Sequence, residues 1–174
     1  DYDAIVDQGW RSWLDRYHSE RLPGIKEVFQ AWAATVPAAI DACWDRGILP
    51  FSPAIATIPF EYFVGGRGIR QFMLDLYRDG DRVQAAMDAA MPDIIDDMRQ
   101  MIRGLDLMGL WAVDVGRGAS EFLAPQLWER FVFPYAKQLV DASIEEGAIP
   151  VLHFDADWTR DLGRLRDLPK ATCV

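Results

Sequence analysis

Only two cysteines, Cys43 and Cys173, occur in 174 residues. That excludes a disulfide framework and fits a reducing compartment. Histidine is as scarce, with only His18 and His153. No apolar run approaches the ~20 residues that span a bilayer. The stretch Asp1 to Asp7 is acidic where a secretory leader is basic, so the expectation is a cytoplasmic protein with no membrane partner. Basic residues are few, at 18 Lys+Arg against 27 Asp+Glu, and the net charge is −9. A general nucleic-acid binder needs clustered cations to neutralise phosphates, so that class is excluded. No internal repeat, low-complexity tract or linker divides the chain, and a single domain over 1–174 is expected.

What is present is a folding composition. Hydrophobic residues make up 51% and charged residues 26%, enough apolar chain for a sizeable core. The chain opens without Met and is helix-like from the start. It closes on Lys170-Ala171-Thr172-Cys173-Val174, which reads as the opening of a strand. Both ends suggest a fragment of a longer protein.

Periodicity orders the elements. Ile5, Val6, Trp10, Trp13, Leu14 and Tyr17 fit one amphipathic helix over 3–17, broken by Pro23-Gly24. Val28, Phe29, Trp32, Val36, Ile40 and Trp44 continue helically over 25–44, with a kink at Pro37 and a stop at Gly47. The run 48–58 holds prolines that forbid a long helix, and a short strand with a loop is expected there. Gly65-Gly66-Arg67-Gly68 reads as a tight turn. Helices follow over 69–78 and 81–107, with Pro92 as a break or a new first turn. Residues 110–115 and 149–154 are short apolar strands. They flank a helix over 125–146 that Pro134 interrupts. A short helix over 159–168 and a strand from Ala171 complete the series. Strands alternating with helices imply parallel pairing. The expected architecture is α/β: N-terminal helices, then about four parallel βα units. Both a doubly wound sheet and part of a (β/α)8 TIM-type barrel satisfy that order, since a full barrel needs about 250 residues.

Function on such a frame gathers at the carboxyl ends of the strands. His153 follows an apolar run and precedes Asp155 and Asp157 at alternating positions. Along an extended segment His153 and Asp155 project to one side, which suits metal ligation or acid–base chemistry. The alternative is a histidine donating to Asp155, with Asp157 capping the next helix. Asp114 closes an apolar strand. It is either catalytic, a ligand, or a turn-former accepting from the N–H groups of Gly116 or Gly118. Arg117 reaches a substrate anion or is a solvated loop charge. The glycine cluster 65–68 lacks phosphate-loop spacing. His18 suits a helix cap, Cys43 a buried inert thiol, and the seven tryptophans a core; the role of Cys173 stays open.

The residues from Ala119 to Tyr135 carry a resemblance. Behind Asp114 and a loop with Ser120, the helix reads Pro125-x-x-Trp128-x-x-Phe131-x-x-Pro134-Tyr135, and a strand follows Gly147. This resembles a segment of the uroporphyrinogen decarboxylase-like superfamily, most specifically over 110–158. The resemblance implies a (β/α)8 barrel, of which this chain would be part. It also implies one of two chemistries. Corrinoid-dependent methyltransferases of the superfamily end the corresponding strand in His-x-Cys, with a further Cys later. Those side chains hold a Zn²⁺ that keeps a thiol acceptor as thiolate. Here His153 matches, Asp155 replaces the Cys, and the later Cys would lie past Val174. The decarboxylases need no cofactor and lack this histidine. The leading expectation is therefore corrinoid-linked methyl transfer. His153 and Asp155 would be metal ligands, Asp114 and Asp155 catalytic acids, and Arg117 and Ser120 substrate contacts. A corrinoid protein would be a partner. The rivals are decarboxylation of an acidic tetrapyrrole and a non-catalytic tetrapyrrole- or partner-binding fragment. Open strand edges add the expectation of a homodimer.

Overall fold

A computed structural model describes residues 2–49, 55–104, 110–119 and 121–170. Four helices come first: α1 (Tyr2–Gln8), α2 (Trp10–Arg21), α3 (Ile25–Ala33) and α4 (Val36–Trp44). Strand β1 (Ile55–Thr57) leads into α5 (Pro59–Arg67), α6 (Ile69–Arg78) and α7 (Gly80–Gly104). Strand β2 (Leu110–Asp114) leads into α8 (Pro125–Phe131) and α9 (Phe133–Glu145). Strand β3 (Ile149–His153) leads to a 3₁₀ helix, Leu162–Asp167.

Helix dominates. The three strands are three, five and five residues long and lie side by side in chain order, all parallel. This overturns the partial TIM-type barrel of about four βα units. A barrel closes only when many tilted strands share a consistent stagger. Among the described residues three short strands make one small sheet, and three helices rather than one separate β1 from β2. The strand expected from Ala171 lies outside the described residues, as do residues 50–54 of the expected first strand.

Local chemistry explains the other differences. The helix expected over 3–17 is two helices, because Gly9 takes φ 81°, a left-handed value that L side chains avoid. The helix expected over 25–44 divides at Ala34–Thr35, and Pro37 sits in the first turn of α4, where its missing N–H costs nothing. Pro134 likewise opens α9, after a break at Val132. Pro92 breaks nothing: α7 runs through it for 25 residues. Gly65 and Gly66 are helical, not a turn, and α5 stops only at Gly68 with φ 80°. That ends the phosphate-loop reading.

The core sits around α7. Val83, Ala86, Met87, Ala90, Met91, Ile94 and Met98 are buried along it at helical spacing. Helices α1, α2, α5, α6 and α9 pack on it. Ile5 and Trp10 bring in α1 and α2. The same joints are fastened by Arg82 to Asp3, Arg11 to Asp93 and Asp97, and Arg103 to Glu146. Helix α9 also lies against the sheet, and its Leu139 and Val140 are fully buried. No helix among the described residues is long and apolar enough to cross a membrane.

Candidate functional site

Strand register assembles the site. Thr57, Asp114 and His153 are neighbours in the ladder: Thr57 pairs with Asp114, and Asp114 pairs with His153. Each is the last residue of its strand. Parallel pairing places all three at the carboxyl end of the sheet, where backbone ends and helix starts leave room for polar chemistry. Along β3, Pro150 and Leu152 are buried while Ile149 and His153 are exposed. The alternation follows from the two-residue period of a strand. It gives His153 an imidazole that solvent or substrate can reach.

Loops close around that row. After β2 the chain turns at Gly116-Arg117-Gly118, and an added Cβ at Gly116 would lie 3.8 Å from the Asp155 Cβ. The loop after β2 and the segment after β3 therefore touch, which brings exposed Asp155 beside the row. Gly118 is packed harder: a Cβ there would meet both Val132 methyls at 3.0 Å and Val115 at 3.2 Å. Arg160 ties the two segments together by donating to the Leu123 carbonyl at 2.7 Å.

Glu61 is the residue that the sequence did not announce. It stands in the first turn of α5 and is 6% exposed. Its Oε1 accepts the Gly118 N–H at 2.9 Å, and its Oε2 lies 3.3 Å from an Arg117 guanidinium nitrogen. The Gly118 N–H thus goes to Glu61. The available signal was a carboxylate three residues behind Ile58 in an apolar stretch. Buried carboxylates of this kind need donors, and the β2 loop supplies two of them.

The remaining sequence candidates fall as follows. Arg117 belongs to the site, with its side chain 60% exposed. Ser120 and Cys173 lie outside the described residues. Asp157 caps no helix; its Oδ1 accepts the Thr159 N–H at 2.8 Å, two residues on, and these bonds to Thr159 hold its carboxyl below the usual range. Cys43 is partly buried on α4. Below the site, Phe154 stacks on Trp158 at 4.1 Å and Trp128 on Phe133 at 5.0 Å, so these rings are packing. The two larger clefts, each about 410 Å³, lie away from the sheet, between α7 and α9 and beside α2. Solvated charges such as Asp88, Asp96, Asp15 and Lys26 line them.

A catalytic zinc keeps three protein ligands. Among the described residues no three His, Cys, Asp or Glu side chains group to hold a metal. His153 and Asp155 alone are two donors.

No family model, no curated protein and no solved structure matches the chain.

Proposed function

We propose that the carboxyl end of the sheet is the working site of a methyl-transfer enzyme unit of the uroporphyrinogen decarboxylase-like kind. The observation that carries the reading is the register of Asp114 beside His153, both ending their strands. A methyl-corrinoid carried by another protein supplies the methyl group. This chain's part is to bind the acceptor and remove its proton. As the acceptor sulfur takes the methyl carbon, the cobalt–carbon bond of the methyl-corrinoid substrate breaks, its electron pair leaves with the cobalt as the cob(I) corrinoid, and the thiol proton passes to the His153 imidazole. Asp155, two residues on, favours the imidazolium that results, since a carboxylate nearby stabilises the charged form. No step passes through a metal held by this chain.

The test uses the purified chain with methylcobalamin and dithiothreitol under anaerobic conditions, following the visible spectrum of the cobalamin. Demethylation faster than in buffer is expected. The variant His153→Ala should lose at least tenfold of that rate, the lower range of general-base contributions being about 100-fold. A wild-type rate equal to buffer, or an undiminished rate in the variant, refutes the assignment.

A further inference from the structure

We propose that Glu61 is the positioning residue of this site: its buried carboxylate fixes the β2 loop by its backbone and, through Arg117, by its side chain. The proposal rests on the methyl-transfer reading only for what the loop does, not for the geometry itself.

Three observations converge. First, Glu61 is buried on α5, the helix that directly follows β1. A carboxylate so withdrawn from water is costly unless it is fully engaged. Second, its two oxygens have different tasks. One takes a backbone donor, Gly118, and the other faces the Arg117 guanidinium. The loop is thereby held at two successive residues from a helix attached to a different strand. Third, the loop has no room to spare at Gly118, where an added Cβ would lie 3.0 Å from Val132 and 3.2 Å from Val115. Close packing and the bond to Glu61 thus meet at Gly118. Arg117 keeps most of its side chain in the open, so donors remain for an anionic group on the acceptor, such as a carboxylate or a phosphate.

The two bonds separate by substitution. Glu61→Gln keeps an oxygen for the Gly118 N–H but removes the charge that engages Arg117. Glu61→Ala removes both. Amide exchange of the full chain reads the first bond, with Val83 in α7 as the internal reference. In Glu61→Ala, Gly118 should exchange at least tenfold faster while Val83 is unchanged; in Glu61→Gln, Gly118 should stay within about threefold of wild type. Unchanged Gly118 exchange in Glu61→Ala overturns the proposal. So does equal acceleration of Gly118 and Val83, which makes Glu61 a stability residue only. Should Glu61→Ala not fold, Glu61→Gln still decides: a tenfold loss of Gly118 protection there overturns the proposal, and retention supports it. The second bond is read in the methyl-transfer assay with a carboxylated thiol, mercaptoacetate. Glu61→Gln should raise KM about fivefold with kcat within twofold, and an unmoved KM overturns the Arg117 half. Absence of transfer by the wild-type chain refutes the functional reading and leaves the exchange result standing.

Discussion

Among single residues, Asp75 is the clearest energetic contributor away from the site. It is 3% exposed and accepts from the Tyr2 hydroxyl at 2.8 Å, Arg67 Nε at 2.7 Å and Gln71 Nε2 at 2.8 Å. Burial pushes its carboxyl up, but the bonds from Arg67, Gln71 and Tyr2 outweigh burial and hold it at about 2, against an ordinary 3.8. A carboxyl lowered on folding adds stability that is complete above the unfolded value and disappears as pH falls through the folded one. The window therefore runs from about pH 4 down to about pH 2. Asp75→Asn should cost about 2 kcal/mol at pH 7, the shift converted at 1.36 kcal/mol per unit. The gap between variant and wild type should close as the pH is lowered through that window. Urea unfolding at pH 7, 4 and 2.5 measures it, and a gap that is the same at all three pH values would show the carboxylate charge to be immaterial. Nothing in the sequence marks Asp75: it is one of 27 acids. Its partners Tyr2 and Arg67 become legible only when α1 is laid against α5 and α6.

At the scale of elements, the loop after β2 depends on a missing side chain. Gly118→Ala would press a methyl on Val132 and Val115, both fully buried. Overpacking of this kind costs about 1–3 kcal/mol. Val132→Ala alone should destabilise through the cavity it leaves, and the double variant should recover part of the loss from Gly118→Ala. Chemical denaturation of the four proteins gives the coupling energy, and strict additivity would show that the two positions do not press on each other. The strand ends of this site were readable in the sequence, because Asp114 and His153 each close a short apolar run. Their register was not, since pairing depends on how the helices between them fold back. Periodicity also found the helices but misjudged their covering. Val28, Phe29 and Trp32 share an apolar stripe on α3, yet they are 62%, 56% and 49% exposed. A stripe shows which side of a helix is apolar, not that anything lies against it. The prolines misled in a consistent way. Pro37 and Pro134 start helices, while Pro92 is accommodated within one that its neighbours hold in the core.

At the scale of the molecule, strands β1 and β3 are the outer members of the sheet, each with one strand neighbour among the described residues. Outer strands pair readily with another chain. A homodimer mass is expected in sedimentation equilibrium, and a monomer mass at every concentration tested would remove that expectation. The joint between the first helices and α7 has a consequence in time. Tyr2 bonds Asp75 across 73 residues, and Arg82 reaches Asp3 across 79. During synthesis, Ile5 and Trp10 leave the ribosome long before the helix that buries them. At about 5–20 residues per second, those apolar side chains wait roughly 4–16 s for their partner. Ile5 and Trp10 are thus left uncovered for longer than side chains whose partners lie close in the chain, and it is at them that a nascent copy would engage a chaperone.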